Sequence, residues 1–215
     1  PPVFASTTDL TPESPFVDDE GADLTGTVPK DIDGTPRSTP VSLGAREVDP
    51  TTTPTKLTKD TYTVGGSSPD YATIYAAIQD LKKRGVNDDG TVTFNVREGT
   101  YGTGADGAGN PLVIPHIGGT DLPTGENPVV FTSASEDRAK VSIRASGAKG
   151  SEPLRLAGAD YVSFEHLTFQ ATNTGGTVRV VFLKSRVDGV GFQDSQIITS
   201  ATGGGEEEQV GLYAE

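Results

Sequence analysis

Shifted by 28 positions, residues 159–169 (Ala159-Asp160-Tyr161-Val162-Ser163-Phe164-Glu165-His166-Leu167-Thr168-Phe169) lie over residues 187–197. Asp, Val and Phe coincide at three positions, and the small or polar positions largely agree in type. Short apolar runs recurring every 20–30 residues or so predict a solenoid. Each coil buries its inward Val, Ile, Leu and Phe only by stacking on the coils beside it, and the sheets are parallel. The rest of the chain supplies such runs, at 61–64, 91–96, 111–114, 129–131, 140–143, 154–156, 161–164, 167–169, 178–183, 190–192, 196–198 and 210–213. Most are only a few residues long. A chain with 27 Gly, 15 Pro and abundant Thr and Val, but little Leu, favours many strands and tight turns. A β-sandwich competes, but it would normally place hairpin turns between runs. No Asn-Gly or Asp-Gly step does so here, although Asp106-Gly107 marks a longer loop. The expectation is an all-β solenoid.

One helix interrupts this pattern. Ser68 suits an N-cap, Pro69 the first helical position and Asp70 the first turn. Ile74, Ala77, Ile78 and Leu81 share one face at helical spacing, with Tyr71 beside them. Lys82, Lys83 and Arg84 complement the carboxyl end, and Gly85 can adopt the left-handed cap. A helix over about 69–84 is predicted, placed to cover the first coil.

Residues 1–48 hold scattered Pro, Asp and Gly around isolated apolar residues, too few to offset the entropy of ordering alone. The Thr/Pro run that follows reads as an extended linker over 49–60, and 61–215 as the main unit. The chain contains no Met and begins Pro1-Pro2, so an interior piece of a longer product is expected.

The formal net charge is −13. Such a surface repels a phosphate backbone, so no nucleic-acid partner is expected. The absence of Cys removes thiolate chemistry and disulfides. Two His, at 116 and 166, leave little for a zinc site or a Ser-His-Asp triad. No apolar run is long enough to span a membrane.

Residues 62–81, from Tyr62-Thr63-Val64-Gly65-Gly66 through Asp70-Tyr71-Ala72-Thr73-Ile74 to Leu81, are followed by Gly90 to Tyr101 with its closing Gly99-Thr100-Tyr101. This text resembles the entry into right-handed parallel β-helices of the pectin-lyase-like superfamily, above all the β-helix domains of large secreted surface proteins of Bacteroidetes-like bacteria. Residues 127–131 and 158–164 fit the same proteins. The resemblance covers about residues 61–200 and speaks for fold far more than for function. Ser14-Pro15, Asp31-Ile32-Asp33-Gly34 and Leu43-Gly44-Ala45-Arg46-Glu47 look like the closing coil of a preceding β-helix. The resemblance thus implies a right-handed parallel β-helix with one N-terminal capping helix. Residues 1–48 would end one domain, and 61–215 would begin a second that is truncated at its carboxyl end.

Few residues suggest chemistry. Asp31 and Asp33 precede Gly34 as ligands do in calcium loops, and Asp18, Asp19 and Glu20 could converge on them. The twelfth position of an EF-hand loop would need Glu and is Ser42, so a plain Asx-type turn is the weightier reading. Glu206-Glu207-Glu208 reads as a solvated loop. His116 reads as a loop residue and His166, alternating with inward apolar residues, as an outer-face residue, neither with a partner set. Asp188 and Asp194 have no matching pair in the preceding repeat, where His166 replaces Asp194. Tyr101 or Tyr161 could stack on a sugar ring, or serve the core. Enzymes of the resembled superfamily place carboxylate pairs or calcium-binding Asp on middle rungs, and no such constellation stands out here.

These readings point to a non-enzymatic structural or adhesive segment at a bacterial cell surface. Its partners would be adjacent β-helix domains, other copies or secretion machinery, and surface polysaccharide. No cofactor is expected beyond calcium at Asp31 and Asp33. The alternative is a polysaccharide-active or polysaccharide-binding β-helix whose site lies elsewhere in the parent.

Overall fold

The computed structural model describes residues 27–34, 36–37, 56–57, 60–86, 90–102, 111–117, 123–124, 127–147, 152–173, 178–184, 186–201 and 209–214. Alternating residues of each short run point inward, and the strands stack in parallel register. Strand β1 (Thr61–Val64) precedes helix α1 (Ile74–Arg84). Four coils of three strands follow. The first holds β2 (Val92–Val96), β3 (Gly99–Gly102) and β4 (Leu112–Pro115), and the second β5 (Val129–Ser133), β6 (Val141–Gly147) and β7 (Leu154–Ala157). The third holds β8 (Val162–Glu165), β9 (Thr168–Asn173) and β10 (Val178–Lys184). The last holds β11 (Gly191–Gln193), β12 (Gln196–Ala201) and β13 (Gln209–Ala214). Three sheets result, ordered β1-β2-β5-β8-β11, β3-β6-β9-β12 and β4-β7-β10-β13, and every strand pairing in them is parallel. The fold is a parallel β-helix.

Its core is built in columns. In the first sheet Tyr62, Phe94, Phe131, Phe164 and Phe192 occupy one register position on five successive rungs. Their rings stack at centroid separations of 5.7, 4.7, 5.7 and 5.2 Å. Stacked pairs of this kind add about 0.5–1.5 kcal/mol each beyond the area they bury. The third sheet supplies an aliphatic column, Leu112 and Ile114 under Leu154 and Leu156, then Val181 and Leu183. The second contributes Tyr101, Ile143, Phe169 and Ile197 in register. The four Phe of the first column stand 37, 33 and 28 residues apart. Coils of unequal length therefore share one interior, because the extra residues leave at the corners.

The expected register of the 28-residue repeat is observed, with Phe164 over Phe192 and Phe169 over Ile197. Strand β3 was not among the runs picked out, since Gly99-Thr100-Tyr101-Gly102 shows no apolar alternation.

The helix needs a correction: it begins at Ile74, five residues later than the predicted Pro69. Asp70 serves β1 instead of a first turn. Its carboxylate accepts from the Thr63 N–H at 2.8 Å and the Thr63 hydroxyl at 2.9 Å, and its own N–H donates to that hydroxyl at 3.0 Å. Tyr71 bridges Val64, and Ser68 sits at φ 47°, outside the extended conformation of an N-cap. Thr73 takes the cap, extended at φ −140°, its hydroxyl accepting from the Ala76 N–H at 3.0 Å. At the other end Lys82, Lys83 and Arg84 fill the last turn as expected, but Gly85, at φ 66° and ψ −166°, takes a positive-φ conformation other than the left-handed cap and donates to the Leu81 carbonyl at 2.8 Å. Ile74, Ala77, Ile78 and Leu81 are buried, and α1 packs along β4, over the first coil. Leu57, inside the stretch expected to be linker, is fully buried and bridges Val86, so the folded unit reaches back to it. The rest of residues 49–55, and most of residues 1–48, lie outside the described residues.

Candidate functional site

The Gly-Gly motif that carries much of the resemblance has a packing role. Gly65 and Gly66 stand at φ 74° and 76°, a left-handed region open to Gly. The Tyr101 hydroxyl crosses Gly65 so closely that a Cβ there would collide with it, and a Cβ on Gly66 would lie 2.7 Å from Arg97 Cδ. That hydroxyl donates to the Arg97 carbonyl at 2.7 Å, and Arg97 Nη1 donates to the Ser67 carbonyl at 2.5 Å. Tyr101 and Arg97 thus clasp the turn between β1 and the helix. Burial, slightly offset by the Arg97 charge, pushes the Tyr101 phenol above its ordinary pKa. Tyr101 is partly buried and its hydroxyl is committed to this clasp.

Asp31 and Asp33 lie on a small exposed turn closed by an antiparallel bridge from Lys30 to Pro36. The Asp31 carboxylate accepts from the Asp33 N–H at 2.9 Å, and the Gly34 N–H donates to the Asp31 carbonyl at 3.1 Å. That is the geometry of an Asx turn. Asp18, Asp19, Glu20 and Glu206–Glu208 lie outside the described residues. Among the described residues no three carboxylate or imidazole groups converge as metal ligands do.

The densest titratable cluster sits where the third sheet turns back into the first. His116 follows β4, Asp160 and Tyr161 follow β7, and Arg186 and Asp188 follow β10, so stacking brings three distant segments to one corner. His116 therefore has a partner, contrary to the sequence reading: its Nδ1 lies 3.3 Å from Asp160 Oδ2. Asp160 Oδ1 accepts from the Asp188 N–H at 3.1 Å, and the Asp188 carboxylate pairs with Arg186 at 2.6 Å. The Tyr161 N–H donates to the Asp188 carbonyl at 2.7 Å. The imidazole itself is about half exposed. Tyr161 holds φ 50°, a conformation costing a non-Gly residue about 1–2 kcal/mol. The equivalent position one coil on is Gly189, at φ 64°, and the Tyr161 ring lies directly against it. One ring face is thereby covered, and the residue remains 37% exposed.

His166 lies between two successive strands. It forms the corner between β8 and β9 at φ 52°, and its N–H donates to the Gln193 carbonyl at 3.0 Å. Asp194 repeats that corner one coil on, at φ 45°. Asp188 and Asp194 thus belong to different corners.

On the outer face of the third sheet Arg155 stands beside Phe182 in register, and the guanidinium carbons of Arg155 and Arg179 each lie 5.4 Å from the Phe182 ring centre. Glu152, only 2% exposed, pairs with Arg155. A buried carboxylate needs such a partner, and the Arg stems keep an outward Phe dry. Sequence reading missed this patch. The continuous run Val180-Val181-Phe182-Leu183, without alternation, was its trace, because it marks a strand covered on both faces. A small cavity under α1 is lined only by apolar side chains, Ile74, Ile78, Leu112 and Phe169 among them, and offers no polar ligand a bond.

No protein-family model, curated protein or solved structure matches this chain. The fold therefore rests on the strand register, and the function on these corners and faces.

Proposed function

We propose that the chain is a structural and adhesive segment of a large secreted bacterial surface protein built from tandem β-helix domains, without catalysis of its own. The observation that carries this reading is the unbroken aromatic column through five rungs, closed at one end by α1. Rungs that contact only their neighbours form a stiff, quasi-one-dimensional rod, suited to holding other modules away from a membrane. The net charge of −13 would keep an array of such rods dispersed. Partners on this reading are adjacent β-helix domains of the array, other copies and the secretion machinery. Antibodies raised against the 215-residue chain should label intact cells making the parent protein. Deleting the segment should shorten the surface projection and reduce attachment, with polysaccharide breakdown unchanged. Label confined to lysed cells, or loss of polysaccharide breakdown, would refute the proposal.

The corner at His116, Asp160 and Tyr161 favours a second reading, a polysaccharide-binding β-helix. It joins a partly exposed ring to hydrogen-bonding groups that hydroxyls can use. Retention on a neutral glycan column that disappears in Tyr161→Ala, with the fold intact by circular dichroism, would establish it. Equal retention of both proteins would dismiss it.

A further inference from the structure

The corner at His116, Asp160 and Tyr161 is held from the coils on either side. The Tyr161 N–H donates to the Asp188 carbonyl at 2.7 Å, and the Tyr161 carbonyl accepts from the Val129 N–H at 3.0 Å. The ring rests on Gly189, where any Cβ would collide with it, so the lack of a side chain one coil on is what seats the ring. A platform fixed in this way loses little freedom when a ligand settles on it. Beside it stands Asp160, its side chain 23% exposed. Asp160 Oδ1 accepts from the Asp188 N–H at 3.1 Å, and Oδ2 lies 3.3 Å from His116 Nδ1. The guanidinium of this corner, Arg186, is spent on Asp188, reached by its Nε at 2.7 Å and its Nη2 at 2.6 Å. With His116 neutral, no cation among the described residues is within ion-pair distance of the Asp160 carboxylate.

We propose that this corner binds an amino sugar, with the protonated amine of the sugar on Asp160. The assignment deepens the polysaccharide-binding reading and rests on it. One such residue uses every group present. Its C–H face lies on the free side of the Tyr161 ring, its ammonium group meets the Asp160 carboxylate, and a hydroxyl bonds the half-exposed His116 imidazole. A neutral sugar keeps the ring contact and leaves the charge on Asp160 unpaired. A uronic acid brings a like charge to Asp160 and Asp188 and is disfavoured.

Near pH 7, calorimetric titration of the 215-residue chain should show a β-1,4-linked glucosamine tetramer binding about tenfold more tightly than its fully N-acetylated counterpart. Asp160→Asn retains an acceptor for the Asp188 N–H and removes the charge, so it should equalise the two affinities with an unchanged circular dichroism spectrum. A chain of net charge −13 also attracts any polycation diffusely. Asp194→Asn makes the same change of charge at a different corner and should leave the preference intact. Equal loss of preference in the two variants overturns the proposal, because diffuse attraction then accounts for the binding. Equal affinity of the unaltered chain for both tetramers also overturns it, and leaves the polysaccharide-binding reading standing. Failure of both tetramers to bind overturns it too, and the neutral glycan column then decides the wider reading.

Discussion

The two ends of this coil stack are built from the same apolar columns and finished differently. At the first end Tyr62 closes the aromatic column, Tyr71 packs against it, and α1 lays Ile74, Ile78 and Leu81 over the first coil. At the other end Phe192 is the last ring, stacked on Phe164 and touched edge-on by Phe169 of the same neighbouring coil. The contrast teaches that a helical cap and a further rung are interchangeable solutions to one problem, the burial of the terminal layer. The cap needs a dedicated sequence. The rung needs only another edge.

Phe131→Ala should expose the largest effect, because that ring is stacked on both sides and about 1% exposed. A loss of about 3–5 kcal/mol in urea unfolding is expected. Phe192→Ala should cost about 1 kcal/mol, since much of that ring's burial is missing already. Equal losses would erase the distinction between middle and end. Gly65→Ala tests the clasp beneath the cap. At φ 74°, and with the Tyr101 hydroxyl in the way, the change should cost about 1–3 kcal/mol, and a thermal melt unchanged from wild type would remove that role. The helix start is sharper still. Thr73→Ala should lose about 1 kcal/mol and Ser68→Ala close to nothing, and the reverse order would restore the earlier start.

The smallest effect is on alkaline stability. Burial, then the hydrogen bond to Asp80, holds the Tyr71 phenol well above its ordinary value of 10.0. A group whose folded pKa is raised stabilises the fold fully below its unfolded value and loses that contribution as pH rises through the folded one. Stability should therefore begin to fall above about pH 10, and Tyr71→Phe should flatten the slope. An identical slope in the variant would show that other groups set it.

Much of the fold was readable because inward residues must alternate along a strand. The repeat itself showed only between the last two coils, where the first and second sheets keep one 28-residue spacing, although the third steps by 31. Longer corners hid the earlier coils from any fixed shift. The helix start was misplaced because Asp70, Pro69 and Ser68 have the chemistry of a helix entry, and Asp70 was drawn off by Thr63. His116 and Asp160 could not be paired in advance, being 44 positions apart and joined only by the stacking of β4 on β7. The Asx turn at Asp31 was legible because the bond that defines it, from the Asp33 N–H to the Asp31 carboxylate, is local.

Coils of 37, 33 and 28 residues sharing one interior have an engineering consequence. Chain length and core register are decoupled, so foreign peptides could be grafted at the long corners while the columns beneath keep their spacing. A frame of this kind would let surface loops diversify quickly and independently, each on its own rung, at a fixed distance from the next.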